Sequence, residues 1–371
     1  MNIKEIHYNI SQDGNNDKQR IAINSERFSF PTQVTPQSTL PLTFVDLKRM
    51  LDPNANTISS YLEKQAFLNK MEVSINSPGS SGAFLVGDEA LDTLDTVNYN
   101  EIDAWDRQDK NTAFICLLSL IGYCAVRDTW RKKQVVPQII NVKVDNLVTT
   151  LTQTEYETNK LTTYHQFGKA NHTVTIWNFK KPIKVVISFE HVMVIPDGFM
   201  DLKYLDSNLL CGINLSELRE SKILDIHMGD AATDFTKSEK STISSVNNLN
   251  QNIGGIGLLI QRAIEELYCE KPNRFDSYRV NFLAIANGSN NNVVARIFQD
   301  ALNKQLVPYF KKLEELIKSE RFDLIMMSGP GIQFMNKTYL DALSQSINTP
   351  IVVAKDLFFN LDCLEKYLQS H

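Results

Sequence analysis

Three stretches of the chain carry residue types suited to gripping a phosphate. The first is "ILDIHMGDAATDFT", Ile223 to Thr236. An apolar, strand-like start runs into a loop with Gly229, two alanines, the hydroxyl of Thr233 and the acids Asp230 and Asp234, and Phe235 then resumes the apolar pattern. Gly229 permits a tight turn, Thr233 can donate its hydroxyl to a phosphate, and Asp230 or Asp234 can hold a magnesium-bound water. The second is "IGGIG", with Gly254, Gly255 and Gly257 at the start of a helical pattern, and the third is "MMSGPG", where Ser328, Gly329 and Gly331 close an apolar run. A further candidate is "QDGNND", Gln12 to Asp17. Successive N–H groups in such turns form an anion-binding concavity, so a phosphate is the natural guest. Each loop taken alone reads equally as a plain hairpin turn.

Other chemistry-bearing residues have quieter readings. His227, at the end of a strand beside the first loop, is in reach of a general-base role, but a histidine satisfied by a backbone carbonyl is the expectation. Met326 and Met327 read as core strand residues, and Glu265 with Glu266 as a solvated helix face, with a base-contacting role from that helix as the alternative. The cysteines (Cys116, Cys124, Cys211, Cys269, Cys363) are scattered, lack metal-ligand spacing, and read as reduced core thiols.

The elements that must position the loops follow from the apolar pattern. Ile6, Tyr8 and Ile10 before "DGNND", and Ile21, Ile23, Phe28 and Phe30 after it, predict two strands around an Asp-Gly turn. A proline-punctuated, then Asn-rich region, about 31–81, reads as a small subdomain. "GAFLVGDEAL" is a strand ending at Gly87, and residues 108 to 131 form a long apolar helix. After Gln134 come branched, strand-like runs as far as "VMVIP", a helix start after Pro196-Asp197-Gly198, and the first loop. Leu258, Leu259, Ala263, Ile264 and Leu267 recur at helical spacing. Beyond lie a helix over 292–318, the strand "FDLIMMSGPG", a helix over 337–345, the strand "PIVVAKD" and a C-terminal helix. Alternating strands and helices in a chain of 371 residues predict a two-lobed α/β protein. The expected first lobe is 1–133 with 353–371 returning to it, and the second is 134–352 with 237–320 as a subdomain.

Composition narrows the function classes. Apolar residues at 43% and charged residues at 22% are those of a folded globular protein. A net charge of -5 argues against direct, extensive nucleic-acid binding, which needs a basic face. Arg131-Lys132-Lys133 reads as a solvated helix end. The longest apolar run, Thr112 to Val126, is shorter than the ~20 residues of a membrane span. The start "MNIKEIHYNI" shows no secretory signal, so a cytoplasmic protein is expected.

The order of the loops adds a resemblance. A carboxylate loop, an apolar helix, a carboxylate and hydroxyl loop, a Gly-rich helix start and a strand-to-"SGPG" turn follow the order of nucleotide contacts in the actin superfamily. "RIAINSERFSFPTQV" looks like an early strand ending in a Phe-Pro step, and "AFLVGDEALDTLD" is similar to a Val-Gly-x-x-Ala-Leu-Asp segment of the actin-like plasmid-segregation ATPases, the ParM family. "VMVIPDGFMDLKYL" resembles that family's strand-Pro-Glu-Gly-helix segment, "IHMGDAATDFT" its second phosphate loop, and "DLFFNLDCLEKYLQ" its closing helix start. The chain departs from the pattern at Ala231 and Ala232, which replace a Gly and a Thr, at Pro330, which has no N–H to donate, and at Cys363, which replaces a glycine. The family's first loop, Asp-x-Gly-Asn, maps either onto Asp13 with Asn15 in place of the glycine, or onto Asn9.

The resemblance implies an actin-like fold, each lobe a mixed sheet flanked by helices, with a nucleotide cleft between the lobes. It implies ATP or GTP with Mg2+, contacts from Asp13, Asn16, Gly229, Thr233, Gly254, Gly255, Gly257, Ser328, Gly329 and Gly331, and metal contacts from Asp13 and Asp230. Asp230 and Asp109 carry the catalytic roles, Asp109 lying with Lys110 where the family positions the attacking water. It further implies filaments of the chain itself that move plasmid DNA through a DNA-binding adaptor protein, with slow hydrolysis. The alternatives are a non-hydrolysing actin-like scaffold, or a sugar-kinase or chaperone-type ATPase, for which the chain is short and lacks a substrate-binding extension.

Overall fold

The computed structural model describes residues 5–14, 18–31, 34–37, 62, 67–78, 80–87, 90, 110–151, 153–168, 171–203, 221–229, 233–239, 242–245, 254–268, 293–329, 331–332, 337–354, 356 and 358–370. Asn16, Asp109, Asp230, Ala231, Ala232 and Pro330 therefore lie outside the described residues. The chain forms two compact units, Met1–Leu151 with Glu155–Ile195, and Pro196–His371 with Thr152–Thr154.

Unit 1 is built on a nine-stranded sheet: β1 (Ile6–Gly14), β2 (Lys18–Ile23), β3 (Glu26–Pro31), β4 (Val34–Gln37), β5 (Met71–Ser77), β6 (Ser80–Val86), β7 (Ile139–Leu151), β8 (His172–Ile176) and β9 (Ile183–Pro196). Their order is β3-β2-β1-β7-β9-β8-β5-β6-β4. The run from Ile21 to Phe30, expected as one strand, is two. Asn24 and Ser25 both take positive φ, 48° and 66°, as the two central residues of a hairpin turn must when its twist matches that of the flanking strands.

Helix α1 (Lys110–Lys133) is apolar on every side, and its Thr112–Lys133 stretch is long and apolar enough to cross a membrane. Here it is a core helix. Leu117, Leu118, Leu120, Ile121 and Cys124 are all fully buried in the same cluster as the sheet residues Ile10, Val73 and Val174. Burial of each such aliphatic side chain contributes ~1.5–3 kcal/mol before the entropy of ordering it.

A second helix, α2 (Gln153–Phe167), has no apolar stripe, with Leu161 and Tyr164 exposed, and the sequence pattern does not announce it.

Unit 2 carries the five-stranded sheet β12-β11-β10-β13-β14, formed by β10 (Ile223–Met228), β11 (Thr233–Glu239), β12 (Thr242–Ser245), β13 (Leu324–Ser328) and β14 (Ile351–Val353). Its helices are α3 (Phe199–Lys203), α4 (Ile256–Tyr268), α5 (Val293–Lys318), α6 (Lys337–Ile347) and α7 (Phe359–Ser370). β10, β13 and β14 run parallel. Every residue of β10 and of β13 is buried, as expected for parallel strands covered on both faces. Leu259, Ile260, Ala263 and Ile264 of α4 pack with Leu302, Leu306 and Leu313 of α5 against Ile226, Ile325 and Met327.

The division of the chain differs from the sequence expectation. Strands β7 to β9 belong to unit 1, because β7 pairs with β1 in parallel and β8 with β5 in antiparallel fashion. The boundary accordingly falls at Pro196 and not at 134. The 353–371 segment groups with unit 2. Strand–helix alternation looks the same on both sides of residue 134. Only non-local strand pairing assigns a strand to its sheet.

Candidate functional site

In unit 2 the three glycine loops, separate in sequence, meet at the carboxyl ends of β10 and β13. That is where open α/β sheets bind ligands. The register pairs His227 with Ser328, and the turns after each strand follow directly. A Cβ on Gly329, whose φ is +91°, would lie 2.7 Å from Met228 O, and one on Gly331 would lie 2.7 Å from Met228 Cβ and 3.2 Å from Ile256 Cβ. Both glycines are thus required by close backbone approach, and Gly329 also by its dihedral angle. The third loop is tied in by Ile256 N, which donates to Gly229 O at 3.0 Å. Gly254 and Gly255 precede α4, and Gly257 lies in its first turn.

Two of the expected ligand hydroxyls are engaged inside the unit. Thr233 Oγ1 donates to Gly254 O at 3.1 Å and lies 2.8 Å from Tyr309 OH. With its one proton on Gly254, Thr233 accepts from Tyr309. Burial pushes the Tyr309 phenol pKa up and keeps that donor protonated. Ser328 Oγ donates to Asp225 Oδ1 at 3.2 Å.

Behind the glycine turns lies a buried polar network. His227 Nδ1 is 3.2 Å from Ser328 Oγ and 3.0 Å from the Asn360 amide of α7. Asp201 of α3 can only accept, so the amide turns its NH2 to the Asp201 oxygens, at 2.9 and 3.3 Å, and its oxygen to His227 Nδ1. His227 therefore carries its proton on Nδ1. Among the described residues its Nδ1 meets the side chains of Ser328 and Asn360, where the sequence pointed to a backbone carbonyl.

Asp225 is fully buried, and its pKa is held well above the usual carboxylate range. Burial is the main cause and the nearby Asp201 and Asp234 carboxylates add to it, against the Ser328 hydrogen bond. Gly198 of the Pro-Asp-Gly turn, φ +75°, packs against this carboxyl, and a Cβ there would lie 2.6 Å from Asp225 Oδ2. Nothing in sequence spacing joins Asp201, Asp225 and Asn360, because they come from α3, β10 and α7.

In unit 1, Asp13 sits at the loop end of the β1–β2 hairpin, opposite Arg20. The Asp13 Oδ2 to Arg20 Nη1 distance is 3.8 Å, and both side chains are buried. Asn9 is at the other end of the pair, bonded through its N–H to Asn24 Oδ1 and through its side chain to Asn146. The hairpin thus brings Asp13, and not Asn9, to the candidate loop. Gln12, Gln19 and Thr149 form a buried chain beside it, Gln12 Nε2 donating to Gln19 Oε1 at 2.7 Å and Thr149 Oγ1 to Gln12 Oε1 at 3.1 Å. Among the described residues, Arg20 Nη1 and Ser11 Oγ are buried with no hydrogen-bond partner. An unsatisfied, buried guanidinium N–H is costly unless an anion completes it, so this mouth suits a phosphate. Arg20 escaped the sequence reading, although its place across from Asp13 is legible once the hairpin is assumed.

Among the described residues, no group of three or more His, Cys, Asp or Glu side chains could hold a metal. Cys116, Cys124 and Cys363 are all buried.

No protein-family model matches the chain, and no curated protein matches it by sequence. Solved structures do. An actin-like protein, Alp7A, superposes with a TM-score of 0.65 at 12% identity, over 98% of this chain and 97% of that one. A ParM from a 15-stranded filament of Clostridium botulinum gives a TM-score of 0.63 at 13% identity, over 99% and 100%. Bacillus thuringiensis ParM with ATP gives 0.55 at 14% identity, over 99% of each chain. The chain has the actin-like fold of the ParM and Alp7A proteins.

Proposed function

We infer that this protein is a nucleotide-dependent, filament-forming actin-like ATPase of the plasmid-segregation kind. The observation that carries the reading is likeness over essentially the whole of both chains to a ParM with ATP and to a ParM filament. In this reading Arg20 and Asp13 are the cation and acid of the first phosphate loop, and Asn16 is a further nucleotide contact. The turns at Gly229, Gly329 and Gly331, with the Gly254–Gly257 helix start, accept phosphate and nucleoside by close backbone approach. Asp13 and Asp230 would hold Mg2+, which would supply neutralisation of the phosphate charge. Phosphoryl transfer to water then needs positioning and charge neutralisation more than covalent chemistry. Asp230 would position a water at that ion, and Asp109 would orient the attacking water. Filaments of the chain in the cytoplasm act on DNA through an adaptor, in keeping with the acidic charge.

A second reading, an actin-like scaffold with little or no hydrolysis, is favoured by one observation. The Thr233 hydroxyl, expected on a phosphate, is held by Gly254 and Tyr309.

One experiment separates the two. Purified protein is mixed with ATP or GTP and Mg2+ while light scattering and phosphate release are followed together, with melting shifts in parallel. The ATPase reading expects a raised melting temperature, since a ligand at a hundredfold excess over Kd stabilises by ~2.7 kcal/mol. It also expects prompt scattering, with phosphate lagging behind it. Scattering without phosphate release supports the scaffold. No melting shift and no sedimenting species at millimolar nucleotide defeats both.

A further inference from the structure

We propose that His227 is a positioning residue that ties the C-terminal helix to the glycine turns, so that order in α7 and the geometry of the Gly229 and Gly329 turns are linked. The nucleotide part of this inference rests on the function proposed above. The tie itself does not.

The ring sits where three elements converge. On one side its Nδ1–H serves Asn360 Oδ1 of α7, whose amide NH2 is anchored on Asp201 of α3. It also lies 3.2 Å from Ser328 Oγ at the end of β13, which is itself held by Asp225. On the other side the ring abuts the Gly329 turn, where a Cβ would come within 3.1 Å of His227 Cε1. His227 is followed by Met228 and Gly229, so a displacement of the ring moves the end of β10 with it. Ile332 N to Gly329 O and Ala354 N to Met327 O close the backbone around the same spot. α7 is further fastened to α3 by Lys203 Nζ, 4.9 Å from the Tyr367 ring centroid. Packed groups of this kind have discrete arrangements and transmit displacement rather than absorbing it.

The donor atom makes the proposal specific. An asparagine at 227 places an amide N–H close to where Nδ1–H stands, whereas a glutamine places it near Nε2. His227→Asn keeps the donor to Asn360 and Ser328. His227→Gln removes it, and Asn360→Leu removes the acceptor at similar volume. In the full-length protein without nucleotide, hydrogen exchange is expected to speed up about tenfold in α7 and at the Ile332 and Ala354 amides together, in both His227→Gln and Asn360→Leu. That is the equivalent of one buried hydrogen bond, ~1.4 kcal/mol. His227→Asn should recover most of the protection.

If Asn360→Leu loosens α7 while the Ile332 and Ala354 amides keep parental exchange, the proposal is overturned. The same holds if His227→Asn behaves like His227→Gln. Should His227→Gln not fold, Asn360→Leu against the parent decides. With ATP and Mg2+ added, α7 should gain protection in the parent and in His227→Asn but not in Asn360→Leu. A parent whose exchange ignores every nucleotide counts against the nucleotide reading alone, and the nucleotide-free data still decide the tie.

Discussion

Thr233 Oγ1 on β11 lies 2.8 Å from Tyr309 OH on α5 while donating its own proton to Gly254 O. One hydroxyl thereby joins a strand, a helix and the glycine loop in front of α4. Thr233→Val leaves the Tyr309 hydroxyl and the Gly254 carbonyl buried without that partner, an expected loss of ~1–3 kcal/mol. For a unit of roughly this size that is a fall of ~2–4 °C in Tm per kcal/mol. Tyr309→Phe should cost less, because Thr233 still reaches Gly254. The double variant should lose less than the sum of the two, the mark of a shared interaction in a double-mutant cycle. Because the hydroxyl is engaged within the unit, the Kd for ATP of Thr233→Val, measured well below its Tm, should stay within about twofold of the parent.

Gly329→Ala tests the turn after β13. The φ of +91° and the 2.7 Å approach to Met228 O leave no room for a methyl group, and non-glycine residues forced into such dihedrals lose ~1–3 kcal/mol. Denaturant unfolding should show the loss in the midpoint with an unchanged slope. Unchanged stability would mean that the turn relaxes and that glycine is not required there.

Asp225 makes stability depend on pH in a direction opposite to that of most carboxylates. Its folded pKa is raised, so its contribution is fully present below the ordinary aspartate value of ~3.9 and is lost as pH climbs toward the folded value, at ~1.36 kcal/mol per pH unit. Asp225→Asn keeps an oxygen for Ser328 and removes the titration. The variant should gain on the parent as pH rises above ~3.9, read as the difference between their Tm-versus-pH curves. Parallel curves over that range would exclude the role.

His172 supplies the reverse case in unit 1. Its Nδ1 accepts from Ser77 Oγ at 2.7 Å and its Nε2–H donates to Phe167 O at 3.1 Å, among the rings of Phe114 and Phe189. Burial lowers its pKa, more than the Phe167 hydrogen bond raises it. The contribution of the neutral ring is therefore present above the unfolded value of ~6.5 and is lost as pH falls toward the folded one. His172→Gln retains the donor to Phe167. The acid-side fall in Tm below pH 6.5 should be shallower in this variant than in the parent.

Much of the fold was legible because it is written locally. The apolar run of α1, the helical spacing at Leu259, Ala263 and Ile264, and the turn signals at Gly198 and Gly329 each act within a few residues, and the structure places helices and turns there. α2 was not legible. It has no apolar stripe, and Leu161 and Tyr164 point to solvent, so periodicity had nothing to register. Asn24 and Ser25, polar but without glycine, hid the turn that splits β2 from β3.

By itself, the sequence determined that glycine turns follow apolar strands, that their order is that of an actin-like chain, and that Gly229, Gly254, Gly329 and Gly331 are candidate ligand positions. Tertiary structure alone decided that β7 joins β1, which moves the unit boundary to Pro196. It set Asp13 across from Arg20 at the hairpin mouth, and it engaged the Thr233 and Ser328 hydroxyls inside unit 2. The physical reason is range. Dihedral preference and hydrophobic period are properties of neighbouring residues, whereas a hydrogen bond such as His227 to Asn360, across 133 positions, exists only once strand pairing and helix packing have closed the chain around it.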